Sequence, residues 1–297
     1  MTGVLLYFED ETGLALRLAE AAGLEARRVE CHRFPDGELR LRLPEVLPQN
    51  LVVLRGLQLP NDKLIELLLV ARSARQRGVH RIVLVCPYLA YMRQDMAFAP
   101  GEVVSQQVIG GFLAGLFDAV LTVDPHLHRV SSLAEVMPGC QAIALSGAPL
   151  LAELVAERRP DALLLGPDGE SAQWVSVAAA HAGLDHAVCT KVRHGDCEVA
   201  IELPRVPLAG RKVVLVDDVA SSGHTLAVAA RLALQAGAVS VDVAVTHALF
   251  AGAALQNVQD AGVGEIWSTD SVAHSTNVVS VAPMFACALD QLHRGGR

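Results

Sequence analysis

Short apolar runs alternate with longer stretches that are apolar at helical spacing along most of the chain. The short runs, rich in Val, Ile and Leu, predict buried strands, and the longer stretches predict amphipathic helices. This alternation is typical of α/β proteins with mainly parallel sheets. The predicted strands are Val4–Phe8, Leu51–Leu54, Arg81–Cys86, Ala119–Val123, Ala162–Leu165, Lys212–Val216 and Val239–Val245. The predicted helices are Asn61–Gln76, Val103–Leu116, Ala148–Glu157 and Thr225–Gln235.

Two segments, Glu38–Leu43 and Glu198–Leu203, break this pattern because they alternate in polarity. Such alternation predicts half-buried antiparallel ribbons. Each ribbon follows a charged strand-like run, at Arg27–Phe34 in one case and at Ala187–Arg193 in the other. Each also precedes a buried strand, so the chain shows the same succession of elements twice.

This echo predicts two similar domains. The chain has 297 residues, which is enough for two ordinary domains with cores of their own. We expect the first domain at 1–146 and the second at 147–282. A final helix at 283–294 is expected to pack against the first domain.

Composition and charge narrow the classes of function. The net charge is -8 and no cluster of Lys and Arg is present, so nucleic acid is not an expected partner. The six cysteines are scattered without a Cys-x-x-Cys pair. Neither a secretory segment nor an apolar run of membrane-spanning length occurs in the sequence. We therefore expect a cytoplasmic protein that has no contact with a membrane.

The strongest local signal follows the strand predicted at Lys212–Val216. The strand ends in two acids, and small or hydroxyl-bearing residues lead from it into an Ala-rich helix. Small residues let the backbone wrap an anion, and a helix N-terminus supplies free N–H groups and a favourable dipole. Acids at the carboxyl end of a strand are placed to accept hydrogen bonds from sugar hydroxyls or to meet a hydrated metal ion. The residues concerned are Asp217, Asp218, Ser221, Ser222, Gly223, His224 and Thr225.

A simpler interpretation is that Ser221 or Ser222 caps the helix, with the two acids merely exposed beside it. The motif is not a Walker loop, since no Gly-Lys-Ser/Thr sequence closes it. It resembles the phosphoribosyl pyrophosphate loop that phosphoribosyltransferases and ribose-phosphate pyrophosphokinases share. The resemblance implies that the seven residues bind ribose 5-phosphate.

Motifs along nearly the whole chain resemble the ribose-phosphate pyrophosphokinase family, and phosphoribosyltransferases lack the first half of this set. Residues 96–105 resemble the archaeal-type branch of the family. The family implies two phosphoribosyltransferase-type α/β domains with mainly parallel sheets flanked by helices and antiparallel ribbons. The matching segments are Phe34–Glu38, Pro60–Asp62, Pro87–Tyr88, Arg93–Asp95, Asp124–His126, Gly166–Gly169, Lys191–Arg193, Val216–Thr225, Thr246–His247 and Ser268–Asp270.

The resemblance implies transfer of the β,γ-diphosphoryl group of ATP to the 1-hydroxyl of ribose 5-phosphate, with Mg²⁺ as cofactor and AMP as second product. Negative charge builds up on phosphoryl oxygens in such a reaction, so cations must be aimed there. Lys191 and Arg193 project to one face of an extended segment, and the resemblance makes them catalytic. It also places His126 and Asp168 near Mg²⁺. Without the resemblance, a Lys-x-Arg pair is usually a solvated strand edge and a His after Pro a packing residue.

The resemblance also implies the ATP-binding residues. Arg93, Gln94 and His126 are expected to bind ATP. Phe34, Asp36 and Glu38 are expected to reach the adenine of a neighbouring subunit, which predicts a homo-oligomer with shared active sites. Phe34 could equally be a core residue at a strand end.

Several positions depart from the family pattern. Met96 stands where the family often has a basic residue, Glu170 and Trp174 are unexpected near a polyphosphate, and Ser221 replaces a common acid. Because little sequence follows the final helix, we expect weak or absent inhibition by ADP at a regulatory site. Two alternatives stay open: a regulatory or specialised paralogue with no such activity or with another sugar phosphate or donor, and a phosphoribosyltransferase.

Overall fold

The computed structural model describes residues 3–194 and 198–295, and the side chains of residues 192–200 are not described. The chain divides into two compact units. Unit 1 contains the residues up to Leu145 together with those from Ser280 onward, and unit 2 contains Ser146–Val279. In the described part of the chain, no helix has the length and apolar character that a bilayer-spanning segment needs.

Strands and helices alternate through both units. The strands are β1 (Val4–Tyr7), β2 (Glu25–Arg28), β3 (Glu30–Arg33), β4 (Leu39–Arg42), β5 (Asn50–Leu54), β6 (Arg81–Val85), β7 (Ala119–Val123), β8 (Gln141–Leu145), β9 (Leu163–Gly166), β10 (His186–Val188), β11 (Thr190–His194), β12 (Glu198–Glu202), β13 (Lys212–Ala220), β14 (Ser240–Ala248), β15 (Ile266–Thr269) and β16 (Asn277–Val279). The helices are α1 (Thr12–Ala22), α2 (Pro60–Gln76), α3 (Ser105–Ala114), α4 (Leu133–Val136), α5 (Ala148–Arg158), α6 (Ala172–Ala182), α7 (His224–Gln235), α8 (Ala254–Asp260) and α9 (Ala282–Gly295). Short 3-10 turns at Glu9–Glu11 and Gly169–Ser171 follow β1 and β9.

The two units share one sheet topology. The order in unit 1 is β2-β1-β5-β6-β7-β8, and the order in unit 2 is β10-β9-β13-β14-β15-β16. All neighbours in both sheets are parallel. Each unit also carries an antiparallel ribbon, β3 with β4 in unit 1 and β11 with β12 in unit 2. The predicted fold class, two similar parallel-sheet domains with ribbons, is confirmed.

Central strands of each sheet are covered on both faces, which explains their unbroken apolar runs. All five residues of β7 are buried, as are the last four of β6. In unit 2 the same holds for β9 and for Val213–Val216 of β13. The ends of such strands therefore carry the polar residues that face solvent or a ligand.

The last helix closes the core of unit 1. Helix α9 packs against α1, and α5 packs against α6 in the same way in unit 2. The apolar face of α9 buries Phe285 and Leu289 completely or nearly so.

Some elements differ from the sequence expectations. The charged run Arg27–Phe34 is divided at buried Val29 into β2, which joins the sheet, and β3, which joins the ribbon. Strand β13 continues past Val216 to Ala220, because Val219 and Ala220 pair with β14. Helices α1, α4, α6 and α8 and strands β8, β15 and β16 were not predicted; several of these segments are short, and α1 and α6 are rich in Ala.

Candidate functional site

The structure places the sequence-predicted residues in three groups. The turn of the ribbon β3–β4 carries Phe34, Asp36 and Glu38, and the carboxyl edge of the sheet of unit 1 carries Arg93, Gln94 and His126. The carboxyl edge of the sheet of unit 2 and the adjoining ribbon carry Asp168, Lys191, Arg193, Asp217, Asp218, Ser221, Ser222, Gly223, His224 and Thr225.

The loop between β13 and α7 depends on Gly223. This residue is the N-cap of α7 and has a left-handed backbone with φ of 69°. A Cβ atom at this position would lie 2.8 Å from Cγ2 of Val258 and 3.0 Å from the carbonyl oxygen of Ala254. Both the backbone conformation and the close packing on α8 therefore require glycine.

The segment Leu249–Ala251 fixes the start of the loop between β13 and α7 through backbone hydrogen bonds. The N–H groups of Leu249 and Phe250 donate to the carbonyl oxygen of Ala220, at 3.0 and 2.8 Å, and the N–H of Ala251 donates to Ser221 at 3.0 Å. Phe250 reaches this position with φ of 33°, a strained value for a residue with a side chain. Sequence reasoning missed this segment, because nothing in its composition marks it as a support for the loop.

The loop presents groups suited to an anion. The backbone N–H of His224 lies 3.4 Å from Oγ of Ser222, which is exposed, and Ser221 and Thr225 are partly buried. Helix α7 is 12 residues long, so its N-terminus contributes free N–H groups and the positive end of a dipole. Hydroxyl groups, free N–H groups and a tight glycine turn together form a cradle for a phosphate group.

Two carboxylates precede this cradle. Asp218 is buried and its N–H donates to Oδ1 of Asp217 at 3.0 Å. Burial, followed by the charges of Asp218 and Asp168, raises the pKa of Asp217 well above its ordinary value. Burial is the main cause of this shift, and the neighbouring carboxylates add to it, so the ionised form of Asp217 is disfavoured in the ligand-free protein.

Asp168 links this cluster to the ribbon of unit 2. The residue follows β9, and its Oδ1 accepts the N–H groups of Glu170 and Ser171 at 3.0 and 3.3 Å. Its Oδ2 lies 2.5 Å from Nζ of Lys191, on β11. Burial alone would lower the pKa of Lys191, but the hydrogen bond and charge of Asp168, with Glu170 and Asp217, raise it. Arg193 lies on the same strand, and its side chain is outside the described part.

The donor set at this edge fits Mg²⁺. Asp168, Asp217 and Asp218 each offer carboxylate oxygens, the hard ligands that Mg²⁺ prefers, and Mg²⁺ needs only one or two such residues besides water and phosphate oxygens. The nearby thiol fits neither a metal ligand nor a nucleophile. Burial and the charge of Asp168 raise the pKa of Cys189 to about 12, so the thiol stays protonated at neutral pH.

The candidates in unit 1 lie on loops that follow β6 and β7. Arg93 is exposed and Gln94 partly buried, and the side chain of Gln94 donates to the carbonyl oxygen of Met96 at 3.1 Å. The two loops are joined by an ion pair of 3.3 Å between Asp95 and Arg129. His126 is partly buried, so that Arg93 and His126 each present a polar group at this edge of the sheet.

The turn between β3 and β4 carries the aromatic ring of Phe34, followed by the acids Asp36 and Glu38. The backbones of Phe34 and Glu38 close the turn with a 2.9 Å hydrogen bond, and Asp36 accepts the N–H of Glu38 at 3.2 Å. Phe34 is 38% exposed, so the structure does not make it a core residue. An exposed ring in a turn that also carries two acids is suited to stacking on a base and accepting hydrogen bonds from its amino group.

The unexpected residues near the site have separate explanations. Trp174 is buried and packs in the core of unit 2 between α5 and the sheet, so it does not face a ligand. Glu170 is exposed and contributes its backbone N–H to the cap formed by Asp168.

Comparisons with known proteins agree with this architecture. Residues 4–115 match the family model of the N-terminal domain of ribose phosphate pyrophosphokinase, and residues 140–280 match that of the phosphoribosyl transferase domain. The chain is 34% identical to the ribose-phosphate pyrophosphokinase of Methanopyrus kandleri, covering 97% of this chain and 99% of the relative. It is 35% identical to that of Halobacterium salinarum, covering 96% of this chain and 100% of the relative.

A solved structure shows the same fold. The phosphoribosylpyrophosphate synthetase from Mycobacterium smegmatis superposes with a TM-score of 0.86 over 99% of both chains, at 21% identity. At this identity the likeness concerns the fold alone.

Proposed function

The chain belongs to the ribose-phosphate pyrophosphokinase family, and from this premise we propose how its own residues carry out the reaction. The reaction transfers the β,γ-diphosphoryl group of ATP to the 1-hydroxyl of ribose 5-phosphate and yields phosphoribosyl pyrophosphate and AMP. The observation that carries the proposal is the edge of unit 2, where a phosphate cradle adjoins a surplus of carboxylates and a lysine.

The cradle binds the 5-phosphate of the sugar. N–H groups at the start of α7 and the hydroxyl groups of Ser221, Ser222 and Thr225 donate to the phosphate oxygens. Gly223 lets the backbone approach closely. Asp217 and Asp218 accept hydrogen bonds from the ribose hydroxyl groups, which explains why two acids stand directly before an anion site.

Lys191 and Arg193 stabilise the transferring group. Positive charge aimed at the phosphoryl oxygens lowers the barrier, because negative charge develops there as the bond to AMP breaks. Mg²⁺, when bound, neutralises the ATP phosphates, and Asp168 and His126 are the residues proposed to hold it. The sugar hydroxyl attacks the β-phosphorus directly, and no nucleophilic side chain of the protein is required.

ATP is bound by residues of unit 1 in this proposal. Arg93 and Gln94 contact the nucleotide, and Phe34, Asp36 and Glu38 of a second copy receive the adenine. The exposed ring of Phe34 and the two acids that follow it in the same turn support this assignment. A homo-oligomer with shared active sites follows from it.

The experiment measures AMP release from ATP and Mg²⁺ with and without ribose 5-phosphate, and follows the product by phosphorus NMR. Sugar-dependent AMP formation with a new pyrophosphate resonance is expected. Lys191→Ala should lower kcat by about 10²–10³-fold with little change in the KM for ribose 5-phosphate.

Lys212→Ala is the matched control, because Lys212 is exposed at the amino end of β13 and should leave kcat unchanged. An unchanged kcat in Lys191→Ala would remove Lys191 from the mechanism. Folded protein that binds ribose 5-phosphate but forms no AMP would refute the proposed reaction.

A further inference from the structure

Asp168 already uses both of its oxygen atoms within the protein. Oδ1 accepts two backbone N–H groups of the turn Gly169–Ser171, which fixes the orientation of the carboxylate. Oδ2 points the other way and lies 2.5 Å from Nζ of Lys191. The side chain of Asp168 is 8% exposed, so Lys191 covers the oxygen that would otherwise face a ligand.

Charge explains why the lysine is held there. Asp218 and Asp168 lie close enough to Asp217 to raise its pKa further, in addition to burial. Glu170 adds another carboxylate near Lys191. The side chain of Lys191 is a cation that the structure places against this cluster, in contact with Asp168. The ammonium group therefore neutralises the acids that the proposed function assigns to Mg²⁺ and to the sugar.

A second cation at Oδ2 of Asp168 would meet the charge of the ammonium group that already lies 2.5 Å from this oxygen. A divalent ion bound to this oxygen, directly or through one water molecule, would lie within a few ångströms of the ammonium group, where like charges repel strongly. Oδ1 offers no easy alternative, because its two N–H donors occupy the directions in which a metal ion would approach.

We propose that Lys191 and a divalent cation compete for Oδ2 of Asp168, so that binding of the cation displaces the lysine and delivers it to the transferring group. The delivery of Lys191 to the transferring group rests on the proposed function, whereas the displacement of Lys191 from Asp168 can be tested without it. It links two requirements of the reaction, because the lysine becomes available when the metal ion is in place.

The first test is a titration of the protein with Mn²⁺ or Mg²⁺ by calorimetry, without nucleotide or sugar and at constant ionic strength. Lys191→Met should bind the metal about ten-fold more tightly than the wild type. Lys191→Arg, which keeps a cation, and Lys212→Met, which removes an exposed lysine at the opposite end of β13, should bind as the wild type does.

A double-mutant cycle with Asp168→Asn separates contact from general charge. Asparagine keeps the acceptor for the two N–H groups but loses the charge on the oxygen that meets Lys191. In the Asp168→Asn background, Lys191→Met should change metal affinity by less than about two-fold. An equal gain in both backgrounds would overturn the competition, and so would an unchanged or weaker affinity in Lys191→Met.

Amine labelling provides a readout that does not depend on catalysis. Metal ion should increase the rate at which an amine-reactive ester modifies Lys191, while the rate at Lys212 stays constant. A rate at Lys191 that falls or does not change with saturating metal ion would overturn the displacement. If AMP forms but labelling and affinity do not change, this inference fails alone; if both respond but no AMP forms, the proposed function fails instead.

Discussion

The carboxyl edges of the two sheets have the same architecture but opposite electrostatics. In unit 1 a 3-10 turn, Glu9–Glu11, follows β1, and Arg55 follows the neighbouring strand β5. In unit 2 the turn Gly169–Ser171 follows β9, and the neighbouring strand β13 carries Asp217 and Asp218 near its carboxyl end. One edge therefore places a buried cation where the other places two acids.

The charged side chains at the edge of unit 1 form ion pairs with one another. Arg55 is 4% exposed, and its guanidinium donates to Glu66 at 2.7 Å, Asp10 at 2.5 Å and Glu11 at 3.1 Å. Lys63 donates to the carbonyl oxygen of Gly56 at 3.0 Å and lies 3.3 Å from Asp10. A cavity of about 430 Å³ remains at this edge, but its charged walls are already paired.

The pKa values of Asp10 and Asp217 are shifted in opposite directions, although burial also raises the pKa of Glu11 in unit 1. Burial raises the pKa of Asp10, but Arg55 and Lys63 outweigh burial and bring it below the ordinary value. The pKa of Asp217 is raised by burial and then further by Asp218 and Asp168. A fold that occurs twice in the chain thus lowers the pKa of an acid at one edge and raises the pKa of an acid at the other.

The largest effect is expected from Arg55→Met in unit 1. This change leaves Glu11 and Glu66 buried without their cation, and loss of one partner of a buried ion pair costs about 3–5 kcal/mol. Because burial already raises the pKa of Glu11, the loss should be smaller near pH 5, where orphaned carboxyl groups protonate, than near pH 8. Urea unfolding at both pH values measures it. A loss below about 1 kcal/mol at pH 8 would show that the network does not stabilise unit 1.

Gly223→Ala comes second and acts on the cradle of unit 2. The left-handed backbone and the contact with the carbonyl oxygen of Ala254 both oppose a Cβ atom, and about 2 kcal/mol of distortion should raise the KM for ribose 5-phosphate by about thirty-fold. Gly183→Ala is the matched control, because Gly183 has φ of 66° and open space at its Cβ position. It should lose stability but keep its KM, and equal changes in KM would contradict the role of the cradle.

Local signals were sufficient for part of this picture and not for the rest. The acids, small residues and helix start at Asp217–Thr225 are consecutive in the sequence, so their chemistry was predictable from the sequence. The pair of Asp168 and Lys191 is formed by the fold, because a turn after β9 meets the ribbon strand β11. The Arg55 network likewise joins a 3-10 turn, a strand end and α2. The sequence signal for this network was Arg55, a charged residue directly after the buried strand β5.

Trp174 shows that a residue close to the site in sequence can point away from it. Its position shortly after Asp168 made it unexpected beside a polyphosphate, because sequence distance does not give the direction of a side chain. Helix α6 turns Trp174 into the core, against α5 and the sheet. Periodicity in an Ala-rich helix was too weak to show which face is buried.

A third prediction contrasts Asp217 with Asp10. The pKa of Asp217 in the folded protein lies above that in the unfolded chain, near 3.9, so its ionisation costs stability as the pH rises from about 4. Asp217→Asn should therefore stabilise the ligand-free protein by about 1 kcal/mol at pH 7 while weakening binding of ribose 5-phosphate. Asp10→Asn should act in the opposite direction, because the pKa of Asp10 is lowered: stability is lost at pH 7, and the loss disappears below pH 4.

Thermal unfolding of both variants between pH 2 and pH 8 tests this pair, because the pKa of Asp10 in the folded protein lies below its ordinary value. The two curves of variant minus wild type should start together at low pH and diverge with opposite signs as the pH rises. Curves of the same sign would mean that the two edges do not differ in charge balance.

The smallest effect is expected from Arg28→Gln, a second arginine that binds the 3-10 turn of unit 1. Its ion pair with Glu9 is 3.1 Å long, but the side chains are 51% and 84% exposed. Water screens such a pair, so the change should cost at most about 0.5 kcal/mol in urea unfolding and should disappear in high salt. Arg55 and Arg28 bind neighbouring residues of one turn, so burial is the main difference between them. A loss above about 1 kcal/mol for Arg28→Gln would mean that the balanced network extends to the surface, and the contrast between the two edges would then concern more than their buried groups.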